Sequence, residues 1–177
     1  MKAITHFLQW MSTTLIIGML AGVLMMTVAI APAQADIRQL EEAPGQIVYQ
    51  SRQILKDQQG SNWQAIAFKR TSSDHGDEIY LRLVGFPGTT QIDHARPLTI
   101  TSSMGMTLTA ADISSDIFTD PAEMKPDVGQ YDLQPILMEL ELAIPLQLLI
   151  PTLDPAEILL NVSPHLVEEW QSLAQVN

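Results

Sequence analysis

Short runs of alternating and β-branched residues, set close together along the chain, constrain the fold more than any other feature of this sequence. Each run ends at a turn signal such as KDQQGS, SSDHGD or GFPGTT. The runs are Ile47–Leu55, Trp63–Phe68, Ile79–Phe86, Leu98–Ser102 and Met106–Ala110. Because connections this short join antiparallel neighbours, the pattern predicts an antiparallel β-meander. Apolar residues fall on both faces, so we expect either an open curved sheet covered on both sides or a small barrel.

A proline-containing acidic segment, TDPAEMKPDVGQ at residues 119–130, separates the meander from a second half with mixed patterns. After it, four apolar residues recur at helical spacing behind a potential N-cap, Asp132, and predict a middle helix. These four are Leu133, Ile136, Leu137 and Leu140. PLQLLIPT and AEILLNV predict two further strands, and SPHLVEEWQSLAQ, with Ser163 as N-cap, predicts a C-terminal amphipathic helix. The expected fold class is therefore α+β.

The first 35 residues have the pattern of an export signal. Lys2 precedes an apolar run at residues 13–30, and Ala33 and Ala35 fit the positions that a signal peptidase reads. We expect cleavage before Asp36, which leaves residues 36–177 as a single α+β domain. The alternative is a retained anchor, and membrane contact would then run through this segment alone.

Charge and cysteine content limit the classes of partner and chemistry. The chain has 20 carboxylates against 9 basic side chains, a formal net charge of −11, and the carboxylates all follow residue 35. Nucleic acids and anionic lipid surfaces need a basic face, so we expect neither as a partner. The absence of cysteine excludes disulfides, thiolate nucleophiles and iron–sulfur ligands. An exported chain without disulfides fits a periplasm or a thylakoid lumen.

The stretch YLRLVGFPGTTQIDHARPL, residues 80–98, concentrates the groups that could carry chemistry. Asp93 and His94 are adjacent, so in an extended segment their side chains would point to opposite sides and could not form a dyad. We expect Asp93 to order the turn by accepting from nearby backbone, and His94 or Arg96 to pair with a carboxylate. Phe86, Asp93, His94 and Arg96 form the predicted interaction surface. We assign no catalytic, cofactor-binding or metal-binding residue and expect no cofactor.

Three functions remain open from the residues. The leading interpretation is a non-enzymatic binding or scaffold protein with a protein partner of the envelope or thylakoid. The second is a carrier of a small apolar ligand, lipid or pigment, whose cavity is lined by Trp63, Phe68 and Phe86. The third is a metal-dependent hydrolase that uses His75, His94 and scattered carboxylates.

Several long segments, in the same order, resemble one known family. They are LKDQQGSNWQAIAFKR, YLRLVGFPG, IDHARPL, LTAAD, VGQYDLQPIL and VSPHLVEEW. The chain is similar through them to DUF3122, a family of exported cyanobacterial proteins of unknown function. The resemblance implies a thylakoid lumen or periplasm, and it implies no activity, cofactor or catalytic residue.

Overall fold

Alternating residues form two antiparallel sheets in a computed structural model that describes residues 37–43, 46–72, 76–86, 88, 90–118, 120 and 123–176. The predicted export signal and His75 lie outside the described residues. The strands in chain order are β1 Arg38–Ala43, β2 Gln46–Lys56, β3 Asn62–Ser72, β4 Gly76–Val84, β5 Leu98–Ser102, β6 Thr107–Ala110, β7 Val128–Asp132, β8 Leu146–Ile150 and β9 Ile158–Val162. One helix of the described part, α1, spans Pro164–Gln175. These elements belong to one compact unit, residues 35–177.

The first sheet has the strand order β1-β2-β3-β4-β7 and the second β6-β5-β8-β9. The five predicted runs are β2 to β6, and the two later runs are β8 and β9, so the predicted α+β class with an open sheet is confirmed. The barrel alternative is wrong. Isolated bridges at Asp57–Leu160 and Asp112–Tyr131 join the margins of the two sheets without closing them.

The expected single meander divides after β4 because β4 pairs with β7 rather than with β5. The hairpin of β5 and β6 instead pairs through β5 with β8 in the second sheet. Alternation fixes which residues share a face, but it carries no information on which strand becomes the neighbour.

One buried cluster fills the space between the inner faces of the two sheets and α1. Odd-numbered positions of β3 and β4 face this cluster, and among them are Trp63, Ala67 and Leu81, each at most 1 % exposed. We call this side of the first sheet its inner face and the opposite side, with even-numbered positions of β2 to β4, its outer face.

The predicted middle helix is replaced by turns and a single turn of 3-10 helix, Leu137–Glu139. Its four apolar residues are nevertheless all buried. The Leu133 N–H donates to Ile79 in the first sheet, and the side-chain amide of Gln171 in α1 donates to the carbonyls of Leu137 and Leu140. The two carbonyls are groups that an α-helix would bond internally, and here a side chain of α1 bonds them instead, so tertiary packing overrides the local periodicity.

The C-terminal helix α1 forms as predicted. Ser163 Oγ accepts a 3.3 Å hydrogen bond from the Leu166 N–H, and Pro164 occupies the first turn, where it needs no donor. The apolar stripe of α1 is buried against the sheets, and the Ser51 hydroxyl of β2 donates to Glu169 at 2.6 Å. Within the described residues, no helix combines the length and the apolar character that a membrane crossing requires.

Candidate functional site

The turn at residues 92–97 is held by the polar side chains that the sequence singles out. Asp93 Oδ1 accepts from the Ala95 N–H at 3.1 Å, and Asp93 Oδ2 accepts from Arg96 Nε at 3.1 Å. Arg96 Nη1 also donates to Glu157 at 3.2 Å, in the loop before β9. The expectation that Asp93 orders this turn and that Arg96 pairs with a carboxylate is confirmed.

His94 pairs with Asp112, which lies just after β6. The ring Nδ1 is 3.0 Å from Asp112 Oδ2, while Asp112 Oδ1 accepts from the Ser114 N–H at 2.8 Å. The imidazole is 21 % exposed and the carboxylate 6 % exposed. His94 therefore finds its carboxylate 18 residues along the chain and not in its neighbour Asp93.

The His94–Asp112 pair does not assemble a nucleophilic site from the described residues. A catalytic histidine uses the nitrogen opposite its carboxylate to take a proton from a nucleophile. His94 Nε2 is buried and has no hydrogen-bond partner in the described part of the chain. Nor do three histidine, aspartate or glutamate side chains converge on a metal-sized site among the residues that the structure describes. The pair acts there as a link between two loops.

Phe86 lies apart from these polar contacts, at a groove in the first sheet. Its side chain is 64 % exposed, and Ile54 of β2, which borders the same groove, is 62 % exposed. The groove has a volume of about 290 Å³. Its lining is Ile54, Asn62, Trp63, Gln64, Val84, Gly85 and Phe86.

Gly85 permits the close packing that shapes this groove. A Cβ at Gly85 would lie 2.9 Å from the Trp63 ring, closer than carbon atoms can pack. The Gly85 N–H donates to Asp127, and the Trp63 indole N–H donates to Asp57 at 3.2 Å. The tryptophan is therefore fixed at both its ring and its polar atom, and it gives the groove a rigid wall.

Strand register places basic residues beside the groove. Ile54 and Val84 both pair with Gln64, forming one row across the outer face. In the next row Arg52 and Arg82 flank Ile66. Strand alternation assigns five of the chain's nine basic residues to the outer face. They are Arg38, Arg52, Lys56, Arg70 and Arg82.

Contacts among its own side chains order the middle of the outer face. The Phe68 and Tyr80 rings meet edge to face at 5.6 Å, and the Arg82 guanidinium lies 5.2 Å from the Phe68 centroid. Arg82 also donates to Gln130 Oε1 at 2.6 and 3.0 Å. Burial, with a hydrogen bond to Glu78 as the second cause, raises the pKa of Tyr80 to about 12. These contacts hold side chains of the outer face in place before any partner binds.

The structure does not bring together the residues proposed for a ligand cavity. Trp63 and Phe86 border the outer groove, whereas Phe68 belongs to a separate small cluster with Val48 and Ile66. The two sheets stay open, so the meander does not close around a cavity as that alternative expected, and the carrier function itself stays a prediction.

Sequence reasoning found Phe86 but missed Ile54, Val84 and Arg52. These residues are distant along the chain, and only the pairing of β3 with both β2 and β4 makes them neighbours. The assignment of Asp93, His94 and Arg96 to an interaction surface stays a prediction.

Comparison with known proteins places the chain in a family. The family model described as "Protein of unknown function (DUF3122)" matches residues 35–173. No curated protein and no solved structure matches the chain. Since the match covers nearly everything that follows the predicted export signal, the resemblance seen in the sequence is confirmed, and the chain belongs to the DUF3122 family of proteins of unknown function.

Proposed function

We propose that this protein is a non-enzymatic binding module that holds a protein partner in the groove between Ile54 and Phe86. The single observation that carries the proposal is that two large apolar side chains, both more than 60 % exposed, border one groove. Scattered apolar residues are ordinary on protein surfaces, but a contiguous apolar concavity with a polar rim is typical of interaction sites.

The rim and floor of the groove suit association rather than turnover. Among the described residues that line it, Asn62 and Gln64 supply the polar side chains, and neither amide is a general acid, a general base or a nucleophile. The Trp63 wall is buried and hydrogen-bonded, so a docked side chain would meet a rigid surface and less conformational entropy would be lost on binding.

The compartment proposed for this binding is the periplasm or thylakoid lumen of a cyanobacterium. The export-signal pattern at residues 1–35 and the lack of cysteine support an exported location. The same pattern supports a binding role outside the cytoplasm, in the envelope or at the thylakoid.

Site-specific photocrosslinking in the native host tests the proposal. A benzophenone amino acid replaces Phe86 in the full chain, and a second version carries it at Met138, an exposed position on the 3-10 turn. We expect a discrete adduct from position 86 that disappears when Ile54→Ala is added, and no such adduct from position 138. Adducts that are the same from both positions, or that ignore Ile54→Ala, would contradict the proposal.

A further inference from the structure

We propose that the partner presents an acidic polypeptide segment with one bulky apolar side chain, and this inference rests on the proposed function. The apolar side chain would enter the groove between Ile54 and Phe86. Its flanking carboxylates would meet Arg52, Lys56 and Arg82 on the outer face.

The three cations surround the groove along the strand register. Lys56 pairs with Asn62, which lines the groove at one end. Arg52 and Arg82 lie in the row that follows Ile54 and Val84, one on each side of Ile66. An extended segment that crosses the groove therefore passes basic side chains both before and after its apolar anchor.

Among the described residues, the rows that hold these cations, and the row of Ile54 between them, contain no acidic residue. The row through Arg52 and Arg82 ends at Gln130, and the row through Ile54 and Val84 ends at Val128. Of the acidic outer-face residues, Asp132 lies in the row next to that of Arg82 and Glu78 one row beyond it, both on the side away from the groove. This concentration of positive charge is notable because the whole chain carries a net charge of −11. Long-range repulsion from the rest of the surface would disfavour an acidic partner everywhere else, so the charge pattern selects this face.

The size of the site favours a polypeptide segment over an extended polyanion. A groove of about 290 Å³ lies at the lower limit of small-molecule pockets and suits a single bulky side chain. A lipid surface or a nucleic acid would spread its charge over a wider area and would meet Glu78, Asp132 and the acidic remainder of the protein. A short segment can contact the three cations without covering the acidic residues.

Selection from a random peptide library tests this inference without assuming a sequence. Protein purified after expression of the full chain is used to select from displayed random 12-residue peptides, in parallel with Phe86→Ala. The peptides enriched by the unmodified protein, and lost with Phe86→Ala, should be rich in aspartate and glutamate around one bulky apolar residue. The best peptide should bind about three- to tenfold more weakly to the Arg52→Gln/Lys56→Gln variant, as expected for two exposed ion pairs.

A matched charge change elsewhere controls for the loss of net charge. Lys125→Gln removes an exposed cation before β7 and should leave the affinity for the selected peptide unchanged. Raising the salt concentration should weaken binding to the unmodified protein more than binding to Arg52→Gln/Lys56→Gln.

The outcomes separate this inference from the proposed function. If the selected peptides are neutral or basic but still require Phe86, the inference that the partner segment is acidic is overturned, while the groove remains a binding site. An absence of peptides that depend on Phe86 would overturn both. Tighter Arg52- and Lys56-dependent binding to phosphatidylglycerol vesicles or oligothymidylate than to the selected peptide would replace the polypeptide with a lipid or a nucleic acid.

Discussion

The ammonium group of Lys69 donates a 2.7 Å hydrogen bond to the carbonyl of Val176, and so ties the inner face of β3 to the C-terminal end of α1. Lys69 is only 2 % exposed, and its charge is met by the Asp77 carboxylate of β4 at 2.7 Å. The helix end and two neighbouring strands therefore share one buried cation, which also compensates the carbonyl groups left unpaired at a helix terminus.

Replacing this buried cation should destabilise the fold. Lys69→Met keeps the aliphatic stem but leaves the Val176 carbonyl without the Lys69 donor and the Asp77 carboxylate without its cation, so we expect the free energy of unfolding to fall by about 2 kcal/mol. Urea unfolding followed by far-UV circular dichroism measures the change. Lys125→Met, an exposed lysine, is the matched control and should change stability by less than about 0.5 kcal/mol. Equal stabilities for the two variants would show that the Lys69 contacts contribute nothing net.

The Asp77 carboxyl should make stability depend on acid pH. Hydrogen bonds from Lys69 first, and then from Thr71, lower the pKa of Asp77 from its ordinary value of 3.8. A folded-state pKa below the unfolded value means that the contribution is fully present above about pH 5 and is lost as the pH falls through the folded-state pKa. Asp77→Asn should therefore be less stable than the unmodified protein at pH 6, and the difference should shrink below pH 4. Urea titrations at pH 6, 4 and 3 check this, and a difference independent of pH would refute it.

Gly85→Ala should disturb the wall of the groove. The added Cβ would lie 2.9 Å from the buried Trp63 ring, so we expect a loss of about 1–3 kcal/mol together with a changed near-UV tryptophan spectrum. Gly88→Ala is the comparison. Gly88 has φ +80° and no atom within 4 Å of an added Cβ, so that variant should show backbone strain without a spectral change. Identical spectra for both variants would mean that the ring is not held as described.

The His94–Asp112 pair should be energetically coupled. A double-mutant cycle with His94→Ala and Asp112→Ala should give a coupling of about 1 kcal/mol, because the carboxylate is almost fully buried. The cycle for Arg96 and Asp93, an exposed pair in the same turn, should give less than about 0.5 kcal/mol. Both are measured by urea unfolding at neutral pH. A coupling energy near zero would show that the His94–Asp112 pair does not stabilise the contact between the two loops.

The sequence predicted individual elements better than their arrangement. Alternation located β2 to β6, and the Ser163 cap located α1, because these signals are local. β1 was missed because RQLEEA is charged, as edge strands often are, and β7 because it begins inside the proline-containing segment. Helical spacing at Leu133–Leu140 gave the right buried residues in the wrong conformation, since contacts with Ile79 and Gln171 determine the backbone there.

The candidate site was only partly predictable for a related reason. Phe86 was visible as an aromatic residue in a turn, but its neighbour Ile54 lies 32 positions earlier and reaches it only through the strand register. The net charge of −11 predicted an acidic surface. It gave no indication of the basic outer face, because a total charge does not report where the charges lie.

Phe86→Ala should abolish partner binding without lowering the stability of the fold. Its side chain is 64 % exposed, so Phe86→Ala removes little buried area, and the free energy of unfolding should change by less than about 0.5 kcal/mol. Val84→Ala changes a residue that also lines the groove but is half-buried, and it should cost about 1 kcal/mol because it removes packed methyl groups. Urea unfolding gives both values, and co-purification of the partner that the position-86 crosslink identifies gives the functional effect. If Phe86→Ala unfolds as easily as a core variant, the ring supports the fold, and its exposure reflects no interaction site. If instead stability is kept and the partner is lost, the apolar groove is the site of contact.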